Sequence, residues 1–233
     1  MLELRILRFR WPRARLLACL LVLFASGCVT TPPLTRGSTA QVQDKRRGPE
    51  IIIIKDGRTH YFENRLPHCL AYTLTGEWNF ATQEAALGTP DGRYFVGVRL
   101  SGSETMSGAP GAEPVSRAVA YFQADAEKDW GRSIPNTVEP FPASRGGAVL
   151  LQFGEVAVTP EVAAHLRGPE KPKVGQIVEI QKRVIVPFLP EVVMVVTVSD
   201  VTHARQVLDT LEVTEHPRCW EATIRERFPG VLR

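Results

Sequence analysis

The segment VVMVVTV, Val192 to Val198, constrains the fold most, because it is apolar at both alternating positions of an extended chain. A strand with one wet face alternates apolar and polar side chains, whereas a strand covered on both faces does not. The segment therefore predicts a central strand between two packed layers. Residues 148–158 and the alternating residues from Val178 to Val186 predict further strands of the same sheet.

Two more segments extend this pattern. In IIIIKDGRTHYF, Asp56 and Gly57 separate two β-prone runs, and Asp-Gly suits the positive φ angles of a tight hairpin turn. Residues 69–74 predict another short strand. In GRYFVGVRL, residues 92–100, the alternation predicts a strand with one face in the core and the other face partly exposed to water.

Three helices are predicted between these strands. Pro114 and Gly131 bracket a segment with apolar residues at helical spacing. A short helix is expected to begin at Thr159 and Pro160 and to end before Gly168, and a third to follow Ser199, whose hydroxyl can cap it. The sum is an α+β fold with a mostly antiparallel sheet and about three packed helices.

The N-terminus has the layout of a secretory signal. Five arginines precede a ten-residue apolar run, Leu16 to Ala25, which as a helix would span about 15 Å, half of a bilayer core. Small residues and then Cys28 follow. This stretch, Ala25 to Cys28, resembles a bacterial lipobox, with Ala25 where the usual pattern has Leu. The resemblance implies cleavage after residue 27 and lipidation of Cys28; ordinary cleavage, with Cys28 a plain thiol, is the alternative.

Two or more acyl chains on Cys28, palmitate among them, would anchor the chain firmly. Val29 follows in place of the Asp that retains such proteins in the inner membrane, which favours the outer membrane, facing the periplasm. The domain boundaries are thus a signal peptide at 1–27, a flexible tether at 28–50 and one α+β domain at 51–233. Residues 29–50 are poor in large apolar side chains, which is typical of a disordered tether.

Removal of the signal changes the charge balance. The whole chain has 28 basic and 25 acidic residues, and residues 1–27 take away 5 and 1, which leaves 23 and 24, a net charge of −1. Without a basic patch beyond Lys45, Arg46 and Arg47, the mature chain has no footprint for nucleic acid.

Only Cys69 and Cys219 would remain as thiols, and in an oxidising compartment they are expected to form one disulfide. His68 and His216 offer an alternative, a metal site of two Cys and two His. Adjacent His68 and Cys69 cannot easily aim at one ion, so the disulfide is the expectation and no metal site is predicted.

The order of elements resembles the PsbP-like domain: a hairpin, TLTGEW at 73–78, DGRYFVGVRL at 91–100, a helix, and VVMVVTV followed by a helix that ends in LDTLEV. Thr75 stands where that family commonly has Pro, and the tail with Cys219 is extra. The resemblance spans about residues 51–213. It implies a protein that binds or assembles partners without catalysing a reaction.

A search for catalytic signatures finds no Gly-x-Ser-x-Gly, Ser-x-x-Lys or His-Glu-x-x-His motif and no glycine-rich phosphate loop. Asp125, Glu127 and Asp129 resemble the start of a calcium loop, but Trp130 replaces its Gly and Asn136 its bidentate Glu. No catalytic, cofactor or metal residues are therefore predicted. The expected function is a lipid-anchored binding or assembly module, meeting a protein or small molecule through its sheet face or residues 101–114; a periplasmic enzyme, such as a hydrolase, is the alternative.

Overall fold

The computed structural model describes residues 41–44, 50–65, 68–81, 86–102, 113–144, 146–166, 172–214 and 219–231; the side chains of 41–44, 64, 65, 165 and 219 lie outside the description. The fold is α+β, with mostly antiparallel sheets, as predicted. The strands of the described ranges are β1 (Gln41–Asp44), β2 (Glu50–Lys55), β3 (Arg58–Arg65), β4 (His68–Thr75), β5 (Asn79–Phe80), β6 (Ala86–Gly88), β7 (Phe95–Gly102), β8 (Asn136–Pro140), β9 (Val149–Phe153), β10 (Glu155–Ala157), β11 (Ile177–Glu179), β12 (Lys182–Leu189), β13 (Val192–Val198) and β14 (Glu212–Thr214). The helices are α1 (Pro114–Trp130), α2 (Pro160–His165), α3 (Val201–Thr210) and α4 (Cys219–Arg227).

The first sheet has the strand order β1-β2-β3-β4-β14. The predicted hairpin turn joins β2 to β3, and Asp56 and Gly57 both have positive φ, 51° and 71°. Buried Thr59 ties the next turn to this hairpin, since its hydroxyl donates to the carbonyl of Gly76 (2.8 Å) and accepts from the backbone N–H of Trp78 (3.0 Å). Strand β1 lies inside the segment predicted as tether, and it pairs with β2.

The second sheet has the strand order β5-β6-β7-β13-β12-β9-β8. Strand β13 pairs with β7 on one side and β12 on the other, and its residues 193–196 are all fully buried. The prediction of a central strand covered on both faces is confirmed.

Two predicted strands divide where the sequence indicated continuity. Residues 148–158 form β9, which stays in the second sheet, and β10, which leaves it at Gly154. Residues 178–186 divide likewise into β11 and β12. Among the described strands, β10 and β11 pair only with each other, as a separate two-stranded sheet. The prediction that both segments extend one sheet is therefore wrong in part. The alternation of apolar residues continues across both breaks, which explains the error.

Three clusters of buried side chains place the layers in the order α4, first sheet, second sheet, α1. The largest cluster lies between the two sheets and includes α3. A second fills the space between the outer face of the second sheet and α1, and a third lies between the outer face of the first sheet and α4. The molecule is therefore a sandwich of two sheets with a helix on each outer face.

Helix α1 covers the face of β7 that was predicted to be partly wet. Phe122 of α1 is buried, and the guanidinium groups of Arg99 and Arg183 lie 5.0 Å and 4.7 Å from the centre of its ring. An arginine can stack its guanidinium on an aromatic ring while its apolar stem lies against the sheet. A charged residue in the alternating pattern therefore does not show that its face of the strand is exposed to water. The helix ends at Gly131, whose φ of 64° is left-handed, as expected for a glycine stop.

The other predicted helices are confirmed with one correction. Thr159 caps α2 by accepting from the backbone N–H of Val162. The cap of α3 is Asp200, which accepts from the backbone N–H of Thr202 at 2.9 Å; Ser199 instead accepts from the backbone N–H of Phe95. Serine and aspartate can both cap a helix, so the sequence alone does not distinguish Ser199 from Asp200. The hydroxyl of Ser199 is paired with the backbone of β7, and Asp200 is the cap.

Helix α4 was not predicted, so the described residues contain four helices rather than three. Its apolar residues are few, but Trp220, Ile224 and Phe228 recur at intervals of four and are all buried against the first sheet. The indole of Trp220 donates to the backbone carbonyl of Glu63 at 3.1 Å. The C-terminal tail is therefore part of the domain core.

Candidate functional site

The candidate site is a cavity of about 130 Å³ between the two sheets, at the C-terminal end of α3. Strands β12 and β13 form one wall, α3 and β14 another, and the connection between β8 and β9 lies beside them. The residues that line the cavity are Ala143, Ser144, Val186, Met194, Leu208, Leu211 and Val213.

Local sequence patterns place these side chains. Val186 and Met194 are partners across β12 and β13, so the two side chains lie on the same face of the second sheet. Leu208 of α3 is partly buried against the core between the sheets, and the chain then turns so that Val213 pairs with Leu70 of β4. Helix α3 holds this corner by polar contacts, because Thr210 both accepts from the backbone N–H of Thr73 (2.9 Å) and donates to its carbonyl (3.1 Å).

The connection beside the cavity is short and closed at its base. The backbone N–H of Phe141 donates to the carbonyl of Ala148 at 2.8 Å. Gly147 has a φ of 79°, and a Cβ at this position would lie 3.4 Å from Cγ of Pro187. Ser144 of this connection lines the cavity, and Arg145 lies outside the described residues.

The described residues that line the cavity have mainly apolar side chains. Among the described residues of the lining, Ser144 has the only polar side chain, and none of them is a histidine, a cysteine or a carboxylate. A hydroxyl needs an adjacent base before it can act as a nucleophile. The described side chains of the lining therefore supply no acid–base pair. Because Val186 and Met194 are almost fully covered by their neighbours, most of the surface that is open to the cavity is polar.

A second cluster between the sheets is polar and was missed by sequence reasoning. Glu50 and Glu63 are directly opposite each other in β2 and β3, and they are 2% and 4% exposed. The hydroxyl of Tyr61 donates to Oε2 of Glu63 at 3.2 Å, and its ring stacks on Tyr72 at 4.8 Å. The sequence did contain a signal in the alternation of each strand. Glu50 is two residues from the core residue Ile52, and Glu63 is two residues from the core residue Tyr61, so each glutamate lies on the core face of its strand.

The tyrosines of this cluster stay protonated. Burial raises the pKa of Tyr61 above its usual range, and the nearby Tyr72 and glutamates raise it further. Burial also raises the pKa of Tyr72, with Glu63 and Glu50 as further causes. Both phenols are therefore neutral at physiological pH, and Tyr61 acts as a hydrogen-bond donor within the core.

The predicted site residues fall at different places. Cys69 is buried in β4, on the face covered by α4. Cys219 begins α4, and its side chain is outside the described residues, as are Cys28 and His216. His68 lies against Phe188 of β12, with ring centres 5.4 Å apart. The pairing of Cys69 with Cys219 stays a prediction.

The histidines whose side chains are described do not form a common site. His203 lies between Trp78 and Tyr94, at 4.9 Å and 4.8 Å, and burial lowers its pKa although Asp200 acts to raise it. Nδ1 of His60 lies 3.0 Å from the hydroxyl of Thr73; burial lowers the pKa of His60, and neighbouring cations lower it further. Across the described ranges, no group of three or more His, Cys, Asp or Glu side chains could hold a metal ion.

The acidic residues of α1 form no calcium loop in the described structure. Glu127 is exposed and accepts from the hydroxyl of Ser133 at 2.9 Å near the end of the helix. Residues 103–112, most of the segment predicted as a contact loop, lie outside the described residues. Within the part of the chain that is described, no helix combines the length and the apolar character needed to cross a membrane.

Comparison with known proteins gives no relative: no family model, curated protein or solved structure matches this chain. The resemblance to the PsbP-like domain therefore stays a prediction. The class that the described residues define is the α+β sandwich itself, with a small cavity between its sheets.

Proposed function

We propose that the chain is a lipid-anchored lipoprotein of the bacterial envelope, held at the outer membrane facing the periplasm, and that its domain is a non-catalytic binding or assembly module. The observation that carries the binding role is the inter-sheet cavity, which is lined by apolar side chains and by one serine hydroxyl. A catalytic site would need titratable groups directed into a pocket, and the described residues that line this cavity include no titratable side chain.

The membrane anchor rests on the resemblance of residues 25–28 to a lipobox. Globomycin inhibits the signal peptidase of lipoproteins, so treated cells should accumulate the uncut, diacylated precursor. Normal maturation in its presence, or an unacylated residue 28 in the mass spectrum of the mature protein, would refute the anchor while leaving the binding role open.

A disulfide between Cys69 and Cys219 belongs to the same proposal, because an exported protein folds where thiols are oxidised. Two contacts support it. Cys69 and Trp220, the residue after Cys219, are in one buried cluster. The ring of Trp220 also lies 5.6 Å from that of Phe62, which is in β3, the strand that pairs with β4 and therefore with the strand of Cys69. Peptide mapping of the native protein without reductant should recover these two cysteines in one linked peptide. Two separate thiol peptides would contradict it.

Photo-crosslinking in intact envelopes tests the binding role. A photoreactive residue in place of Ser144, at the cavity, should give a discrete adduct. The matched control replaces Glu155 of β10, which is also exposed but lies on the separate two-stranded sheet. A discrete adduct at 144 and none at 155 supports a binding module that uses this cavity. Identical labelling at both positions would count against it.

A further inference from the structure

We infer that the hairpin end of the first sheet faces the membrane and binds the phosphate groups of anionic lipids. The hairpin end is defined as Lys55, Arg58 and His60, on the two strands that the Asp-Gly turn joins. The inference rests on the lipid anchor of the proposed function, and it adds which surface of the domain the anchor presents to the bilayer. Two observations carry it: where the chain from Cys28 enters the domain, and which charges lie there.

The chain that comes from Cys28 enters the domain at this end. Gln41, the first residue of β1, lies opposite Ile54 of β2, which is the neighbour of Lys55. Strand β1 then runs away from the hairpin turn, towards the partner of Asp44 at the other end of β2. Thirteen residue steps separate Cys28 from Gln41, and at full extension they span about 45 Å. An anchor on Cys28 therefore holds the hairpin end within that distance of the bilayer.

The register of the strands places the two cations on one face. Lys55 of β2 lies directly opposite Arg58 of β3, which lies opposite Thr75 of β4. Directly opposite side chains share a face, and this is the outer one, because Lys55 alternates with Ile53 of the cluster under α4. Arg58 and Thr75 are exposed and Lys55 is partly exposed. This part of the outer face is therefore open to water.

The end of α4 adds to the same surface. The ring of Phe228 lies 4.8 Å from that of His60 and 6.0 Å from Nζ of Lys55. Burial is the first cause that lowers the pKa of His60, and three cations lower it further, while Asp56 acts to raise it. These cations are Arg58, Arg227 and Lys55. They therefore lie around one ring at the hairpin end.

Acidic side chains balance only part of this charge. Arg227 donates to both carboxylate oxygens of Glu212, at 2.7 Å and 3.0 Å. Among the described residues, neither Lys55 nor Arg58 forms an ion pair. Like charges directly opposite each other in a sheet repel. A phosphate bound by both side chains replaces this repulsion by attraction.

Two cations are enough when an anchor already holds the protein. Each Lys or Arg near an anionic bilayer improves binding about fivefold, the equivalent of about 1 kcal/mol. That gain is too small to retain a free protein, but an acylated one has only to rotate into contact, since the anchor keeps its local concentration high. The hairpin end therefore orients the domain and turns α1, in the opposite outer layer, away from the bilayer.

Photo-crosslinking to lipid tests this orientation. The mature protein, with acylation verified by its mass spectrum, is reconstituted into phosphatidylcholine vesicles with or without phosphatidylglycerol. A photoreactive residue replaces Thr75, beside Arg58, or as a control Ala124, which is exposed on α1. We expect a phospholipid adduct at position 75 that depends on phosphatidylglycerol, and far less adduct at 124. Equal adducts at the two positions, or an adduct at 75 that is absent or independent of phosphatidylglycerol, would overturn the inference.

Charge variants test whether these two cations hold the orientation. Lys55→Gln with Arg58→Gln should lower the ratio of oriented to unoriented protein about 25-fold, at about fivefold for each cation. The matched control, Lys128→Gln with Arg132→Gln, removes one exposed lysine and one exposed arginine at the end of α1 and should keep the adduct. Unchanged urea midpoints show that each variant keeps its fold. An adduct at 75 that survives the first pair, or is lost equally in both, contradicts the inference.

A third variant separates this surface from the basic run Lys45, Arg46 and Arg47, which lies outside the described residues. Replacement of all three by Gln should leave the adduct at position 75. If the adduct is lost in this variant and kept in Lys55→Gln with Arg58→Gln, the lipid contact belongs to the basic run and the inference is wrong. An unacylated residue 28 refutes the anchor itself, whereas an acylated protein without the adduct refutes only the orientation.

Discussion

Replacement of Ile224 by alanine tests whether α4 is part of the domain core. Ile224 is 0% exposed and packs between the first sheet and the rest of α4, in a cluster with Ile53, Phe62, Trp220 and Phe228. The substitution removes three buried carbons, worth about 2.4 kcal/mol at about 0.8 kcal/mol each, and leaves a cavity that adds to the loss. We expect the free energy of unfolding to fall by about 3 kcal/mol.

Urea denaturation measures this loss. With a slope of about 2 kcal/mol per molar urea, the midpoint should move down by about 1.5 M with the slope unchanged. Ile224→Val, which removes one carbon, should cost about 1 kcal/mol. Arg225→Ala, an exposed neighbour on the same helix, should change stability by less than about 0.5 kcal/mol. A loss below about 1 kcal/mol in Ile224→Ala would refute the claim that α4 is packed as described.

Three further substitutions test other contacts by the same denaturation assay. Thr59→Val removes the hydroxyl that pairs with the backbone beside Trp78, and the unpaired buried groups should cost about 1 to 3 kcal/mol. Gly131→Ala places a side chain at a left-handed φ of 64° and should cost about 1 kcal/mol. Asp200→Ala removes the cap of α3 and should cost about 1 kcal/mol at neutral pH. Hydrogen bonds from Thr202 lower the pKa of Asp200 below that of the unfolded chain, so this difference should persist above about pH 4 and disappear as the pH falls through the folded pKa.

Each of these substitutions has a control in the same kind of element. Thr75→Val, at an exposed position of β4, should cost far less than Thr59→Val. Gly146→Ala should be close to neutral, because Gly146 has no positive φ and a Cβ there meets nothing within 4 Å. Asp209→Ala, exposed on α3 and away from its cap, should change stability by less than about 0.5 kcal/mol at neutral pH. Equal losses in a substitution and its control would contradict the contact that the pair tests.

Local patterns predicted those elements whose cause lies within a few residues. The turn at Asp56 and Gly57 is an example, because positive φ angles at adjacent positions favour that dipeptide in a hairpin. Pro114 and Gly131 likewise marked the ends of α1 correctly. The alternation along β2 and β3 also indicates that Glu50 and Glu63 lie on the core face of the first sheet. Alternation alone does not reveal that the opposite sheet covers them.

The candidate cavity could not be predicted in the same way. Its lining comes from four separate parts of the chain, among them Ser144, Val186 and Val213. The sequence around each of these residues has only the pattern of an ordinary loop or strand. The cavity exists because α3 ends where β14 returns to pair with β4, and that pairing joins Val213 to Leu70 across more than 140 residues.

By itself, the sequence determined the class of the fold, the central position of β13 and the ends of α1 and α2, because hydrophobic period, turn residues and helix caps act over short distances. Tertiary structure alone decided that the strands divide into two facing sheets, that Arg183 lies buried on Phe122, and that α4 closes the outer face of the first sheet. These choices depend on which apolar surfaces meet across long separations. Apolar burial is proportional to area and has no direction, so a local pattern shows that a face must be covered without showing what covers it.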